Sequence, residues 1–523
     1  MSEPFRQPVF IVSVAIVALL VIAGAGAPES FGAATSAALD WVTTNFGWFY
    51  LASVFGFVVV LVYLAFSKYG ETRIGKPDSE PEFSYYSWIS MLLAAGFGIG
   101  LVFYGVAEPM SHFLETPYGL TEPGTPEAAR LAIQYAMFNW GISQWAGFSI
   151  VGLIIGIYQF RKEKPGLVST VLAPALRRAP ARRAIAGTLD IFAVVATVMG
   201  VATSLGLGVL QINGGLNLAF GIPEGFWWQT AILGVMFAAY MISAATGLEK
   251  GIRILSSINL ALALALMVYV LAFGPTIAIL RTVVQGIGDY LQNFLQMSLR
   301  AGPYQGAEWA GQWTIFYWAW VIAWSPFVGT FVARISRGRT IREYVLGVLV
   351  MPPLIACIWM GVFGGAGLHY DLTADAGLGM AVQENITSAL FRLFDLLPLS
   401  FFLSVMGMAL IFIFLITSAD SASYIVAQMT DRGSLDPPLV KRLLWGVLIA
   451  AICLTLMATG GLEGLQAGAI VAALPFTLII YAMVWSLLRE LAIDRQLTLR
   501  QLYREHDETP VAATIEEARN LNS

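Results

Sequence analysis

About twelve stretches of this chain are apolar, nearly free of charge and close to 20 residues long, the length that crosses a bilayer's hydrocarbon. They run Pro8–Ala27, Phe46–Phe66, Tyr85–Phe113, Arg130–Phe160, Ala184–Phe220, Phe226–Thr246, Ile252–Phe273, Trp313–Ile335, Glu343–Gly367, Leu397–Met429, Leu443–Thr459 and Leu465–Leu488. Only 12% of the 523 residues are charged, against about 25% in soluble domains. Such a chain cannot clothe itself in polar surface, so lipid must solvate it. In lipid every backbone group needs an internal partner, which leaves helices as the simplest solution. The expected fold class is an all-α integral membrane protein with about twelve transmembrane helices. The first run ends in Gly24-Ala25-Gly26-Ala27, like a signal-peptide cleavage site. It is nonetheless long enough to span, and Pro28 follows directly, so it reads as a helix that stays.

Other features exclude classes of function. The net charge of −4 points to no polyanionic partner, nucleic acid included. The two cysteines, Cys357 and Cys453, lie in different apolar runs, and the three histidines are scattered. Neither set makes a disulfide framework or a metal centre. No His, Cys or paired-carboxylate constellation supports an embedded enzyme. The basic residues fall in alternate loops, around Lys68–Lys76, Arg161–Arg183, Lys250–Arg253, Arg334–Arg342, Arg432–Arg442 and Arg489–Arg495. This pattern predicts a multi-pass plasma (inner) membrane protein with both termini cytoplasmic. Between the seventh and eighth runs, Thr276–Ser298 differs. Leu280, Val283, Val284, Ile287, Leu291, Phe294 and Leu295 recur at helical spacing, opposite Arg281, Gln285, Asp289 and Gln292. That is an amphipathic helix lying on the membrane surface or against a partner subunit.

Three stretches carry candidate chemistry. In Ala94-Ala95-Gly96-Phe97-Gly98-Ile99-Gly100, glycines at alternate positions each weaken a helix by about 1 kcal/mol against Ala. They make either a close helix–helix contact through Gly96 and Gly100, or a break whose freed backbone groups meet an ion or solute. In the eighth run, Trp318, Trp320 and Trp324 fall within about two helical turns, and Trp324 lies deeper than interfacial tryptophans usually sit, as do Trp140 and Trp145 in the fourth. Aromatic faces grouped at mid-depth make a cage for a soft cation such as a quaternary ammonium, with dense packing as the plainer alternative. In Phe414–Ser421, the hydroxyls of Thr417 and Ser418 either bond back to the preceding turn or offer oxygen ligands to a small cation. Asp420 is an ionisable group inside an apolar run, serving either function or an interhelical hydrogen bond.

AAGFGIGLVFYGVAEP, WAWVIAWSPFVG running into ARISRGRTIREY, and TSADSAS closely resemble the betaine–choline–carnitine transporter family, in order and over nearly the whole chain. The resemblance implies two inverted five-helix repeats of the LeuT type, at 85–273 and 313–488. Two extra helices precede them (1–84), a surface-helix linker joins them (274–312), and a cytoplasmic tail follows (489–523). It implies a homotrimer joined partly through the surface helix. Trp140, Trp145, Phe148, Trp320 and Trp324 match the family's aromatic box, with Gly96, Gly98 and Gly100 lining the substrate side. A sodium site would use Ala94, Phe97, Phe414, Thr417 and Ser418, and a weaker second one Thr197 and Phe327. Val321 stands where betaine carriers have a further Trp, which removes one wall and leaves room for a differently shaped solute. Phe148 replaces a Tyr, and Val201 replaces a Thr beside Thr197.

The expected function is secondary active uptake of a small zwitterionic or cationic osmolyte of the betaine, choline, carnitine, sulfonium or ectoine class. The expected mechanism is sodium symport by alternating access, with Na⁺ as coupling ion and no other cofactor. Proton coupling through Asp420, or sodium-independent exchange on the same fold, is the alternative. The fifth run has no Lys or Arg between Ala184 and Gly214 to stand in for sodium.

Overall fold

The computed structural model describes residues 7–520 except 97, 247–248 and 305–306; side chains are additionally left undescribed at 96, 177–178, 249–253 and 498–520. Within these residues the chain is helical, and the one β pairing is an isolated bridge between Arg73 and Thr340. In order, the helices are α1 Pro8–Gly26, α2 Pro28–Phe66, α3 Tyr85–Gly96, α4 Ile99–Leu114, α5 Pro126–Trp140, α6 Ile142–Gly156, α7 Val168–Leu172, α8 Arg182–Phe220 and α9 Phe226–Thr246. There follow α10 Glu249–Phe273, α11 Thr276–Ser298, α12 Ala307–Ala310, α13 Phe316–Ile335, α14 Ile341–Ala374, α15 Leu378–Glu384, α16 Ala389–Asp395, α17 Ser400–Met429 and α18 Leu439–Asn520.

Among the described residues, ten helices are long and apolar enough to cross a membrane, and α3 with α4 forms a further, bent span. The apolar part of α18, Leu439–Leu497, has 59 residues. At 1.5 Å per residue it is about 90 Å long, far more than one crossing needs. Gly461 breaks it, with φ 54° and ψ −127°, between the last two apolar runs. The protein is thus an all-α integral membrane protein. α2 begins at Pro28, well before its apolar run, because a proline is pre-shaped for the first helical position. The eighth span likewise starts early, at Ala307, and passes through a π-turn at Gly311–Ile315 before α13.

Burial separates the inner helices from the outer ones. The most apolar windows of α5–α6 and α8 are 94% buried by protein, whereas those of α1 and α9 are 22% buried. The inner helices face one another and the outer ones face lipid. Close approach inside depends on glycine. A Cβ on Gly152 of α6 would lie 2.8 Å from the carbonyl oxygen of Gly329 on α13, and one on Gly200 of α8 would lie 3.2 Å from Ala323 and Trp324. Side chains larger than hydrogen would push these helices apart.

α11 has the bounds its periodicity predicts, but its faces divide differently. Leu280, Val284, Leu291 and Leu295 are exposed. Val283 instead packs on Gly361 of α14. Asp289, assigned to the polar outer face, is buried and bridges to Arg130 of α5 at 2.6 Å. The reason is that α5 supplies a guanidinium where the helix docks.

Candidate functional site

The glycine stretch is a break. α3 stops at Gly96 and α4 starts at Ile99, and the two axes meet at 56°. Gly98 is extended there, with φ −115° and ψ 165°. α4 is then almost wholly buried, so its first turn opens into protein rather than lipid, the condition under which a membrane tolerates such a break. Phe97 lies outside the described residues.

A second break, not anticipated from the sequence, divides the fourth span at Gly141 (φ −88°, ψ −142°) between Trp140 and Trp145. A Cβ at Gly141 would run into the hydroxyl of Tyr290 from α11. That hydroxyl accepts a hydrogen bond from the amide of Ile142 at 2.8 Å. Tyr290 is buried, so a surface-helix side chain plugs the gap and satisfies a freed N–H.

The two breaks flank one small, partly open cavity lined by Ala95, Gly98, Ile99, Gly100, Trp140, Gln144, Trp145, Phe148, Trp320, Val321, Trp324 and Ala356. The structure therefore brings together Trp140, Trp145, Phe148, Trp320, Val321 and Trp324 with Gly98 and Gly100. Ring centroids are 6.3 Å apart for Trp140 and Trp320, 6.5 Å for Trp320 and Trp324, and 6.4 Å for Phe148 and Trp324. Gly100 is required at its position, because a Cβ would strike the ring edges of both Trp140 and Trp320. Val321 turns its methyl toward Gly147 and contributes no ring.

Two of the indoles, Trp320 and Trp140, are held by polar anchors. Trp320 donates its N–H to the carbonyl of Gly200 and to Ser204 Oγ, both at 3.2 Å. Trp140 donates to Oε2 of Glu108 at 2.7 Å, as does the hydroxyl of Tyr317, while Asn139 donates to Oε1 at 2.7 Å. His112 Nε2 lies 3.1 Å from the same Oε1. Glu108 and His112 are fully buried. A carboxylate in an apolar interior needs this many donors to be tolerated. Sequence reading passed over Glu108 and Gln144. An ionisable residue within a membrane-spanning run was a usable signal for the first; for Gln144 there was none.

The candidate ion ligands are arranged as follows. α4 and α17 meet near the break, where a Cβ on Gly98 would lie 3.8 Å from the Phe414 ring. Thr417 donates its hydroxyl to the carbonyls of Phe414 and Ile413, at 2.9 and 3.1 Å, which is the back-bonded arrangement. Its lone pairs remain available to a cation. Ser418 is one residue further on, and both side chains are half-buried. Ala94 lies in the last turn of α3. Thr197 is buried on α8 and donates to Ala193 O at 2.8 Å, and Phe327 packs its ring 5.3 Å from Trp324. Asp420 is buried; Ser243 donates to its Oδ2 at 3.4 Å, while Oδ1 has no partner. Among the described residues, no group of three or more His, Cys, Asp or Glu is placed to hold a metal ion.

A lipid-embedded helix bundle whose broken spans open on an aromatic cavity has the architecture of a solute carrier. This chain belongs to the betaine/carnitine/choline family of transporters, whose family model matches residues 8–496; these are transporters, not enzymes. It is 53% identical over 491 residues to the ectoine/hydroxyectoine transporter of Virgibacillus pantothenticus, covering 94% of this chain and 97% of that one. It is 45% identical over 491 residues to the glycine betaine transporter OpuD of Bacillus subtilis, covering 93% and 95%. A glycine betaine transporter of Acinetobacter baylyi is 38% identical over 506 residues, covering 96% and 76%.

Proposed function

We propose that this protein takes up a small zwitterionic osmoprotectant by sodium symport, and that ectoine-type solutes are its main substrates. The observation that carries the reading is the cavity itself. Indole faces, those of Trp140 and Trp320 held by hydrogen bonds, offer cation–π contacts to the solute's positive end. The first turn of α4, just after Gly98, offers backbone N–H groups to its carboxylate. Two features favour ectoine over glycine betaine: the missing ring at Val321, and the identity to a relative named as an ectoine/hydroxyectoine transporter.

In this reading Na⁺ binds between the α3–α4 break and α17, through Ala94, Phe97, Phe414, Thr417 and Ser418, with Thr197 and Phe327 as a weaker second site. Sodium bound there orders the break, and the solute then meets a formed site, which couples the two. The remaining architecture is proposed with it: five-helix inverted repeats over 85–273 and 313–488, both termini cytoplasmic, and a homotrimer joined in part through α11. The test is uptake of labelled ectoine into proteoliposomes, with external Na⁺ replaced by K⁺ at constant pH. Uptake should stop; undiminished uptake removes the sodium model. The unpartnered Oδ1 of Asp420 supports a second reading, proton coupling, in which an imposed pH gradient drives uptake without Na⁺.

A further inference from the structure

Two of the cavity's indoles, Trp140 and Trp320, have their N–H groups engaged by protein, but two buried polar atoms on its wall have no partner. Oε1 of Gln144 and Nε1 of Trp324 are buried without a hydrogen-bond partner. Gln144 is 6% exposed and stands in the first turn of α6, one position before Trp145. The contrast with Trp140 and Trp320 is direct, since both of those indoles have acceptors built for them. A buried acceptor facing a cavity without a donor is destabilising in itself, and a ligand that brings a donor removes that penalty.

We infer that Gln144 is the specificity-determining residue of this site, selecting a zwitterion whose cationic end carries N–H donors, such as a cyclic amidinium, over a fully N-alkylated ammonium. The inference rests on the transport reading above and extends it to the discriminating contact. A cyclic amidinium is planar: it lies against indole faces and points an N–H outward in its own plane, toward Gln144 Oε1. The Trp324 N–H is then free to donate to the solute's carboxylate. A quaternary ammonium presents only carbon on every side. It gains the aromatic contacts but leaves Gln144 unpaired after the solute has filled the space. Sites built to hydrogen-bond a substrate reject analogues lacking the group far better than apolar pockets reject a methyl. The valine at 321 agrees with this geometry, since opening one wall turns a box for a tetrahedral head into a slot for a flat ring.

The experiment is calorimetric titration of the purified full-length protein, in sodium chloride, with ectoine and with glycine betaine, for wild type, Gln144→Met and Gln144→Glu. Gln144→Met keeps side-chain length and removes the acceptor. It should weaken ectoine tenfold or more and leave glycine betaine within twofold of wild type or tighter. Gln144→Glu keeps an acceptor and should retain ectoine, which guards against loss of folding as the cause. Equal losses for both solutes in Gln144→Met overturn the assignment and leave the transport reading standing, whereas a wild type that binds betaine but not ectoine overturns both the assignment and the ectoine preference and leaves only osmoprotectant uptake. A wild type that binds neither solute overturns both.

Discussion

Replacing Glu108 with Gln tests how the cavity wall is held. The carboxylate takes Trp140 and Tyr317 on one oxygen and Asn139 on the other, each at 2.7 Å. An amide of the same shape keeps one acceptor oxygen and turns an NH₂ on the remaining donors. Hydrogen bonds to a charged partner contribute about 1.5–3 kcal/mol each. Losing the bond that orients Trp140 should therefore weaken solute binding by roughly 10- to 150-fold. The decisive measurement is a cycle with Trp140→Phe, which keeps an aromatic ring but deletes the N–H. If Glu108 acts through Trp140, the double variant binds ectoine no worse than the weaker single one, and the coupling is about 1.5–3 kcal/mol. Losses that add to within about 0.5 kcal/mol would refute the argument.

Other perturbations test the rest of the design. Gly100→Ala pushes a methyl against Trp140 and Trp320, an overpacking cost of about 1–3 kcal/mol; ectoine affinity should fall at least fivefold with helix content by circular dichroism unchanged. Tyr290→Phe strips Ile142 of its acceptor, at a cost of about 1–3 kcal/mol, and should lower the midpoint of thermal unfolding; an unmoved midpoint would mean the break is satisfied otherwise. Thr417→Ala with Ser418→Ala should raise the Na⁺ concentration for half-maximal uptake, and an unchanged sodium curve would remove that site. Hydrogen bonding from Arg334 holds the Glu82 carboxyl below its usual range. Its stabilising contribution is thus full above about pH 4.3, the unfolded value, and fades as pH falls further. Glu82→Gln should flatten that acid limb in a thermal-shift series, slightly, because the pair is partly solvated.

The sequence was most legible where periodicity or length carried the information. The bounds of α11 follow from local periodicity, and the glycine pattern narrowed 94–100 to a close contact or a break. The aromatic positions were read from depth along a span together with the family resemblance. What stayed hidden depends on groups distant in the chain. Gly141 looked like one more small residue in an apolar run, because only α11 supplies the phenol that makes a break affordable there. Asp289 looked like a solvated face residue, because Arg130 is 159 positions away. Glu108 lies inside the run drawn as Tyr85–Phe113, but the Trp140 and Tyr317 that surround it come from two other spans. The Oε1 of Gln144 is buried without a donor, and want of a partner leaves no trace in a sequence.

The phenol of Tyr290 ties the perimeter of the molecule to its centre. α11 cannot lift from the bundle without baring the Ile142 amide, nor can the break at Gly141 shift without losing the Tyr290 hydroxyl. Thermodynamic reciprocity then applies to that joint. If covering the outer leucine stripe of α11 steadies the wall, cargo in the cavity must, by the same amount, favour the stripe being covered.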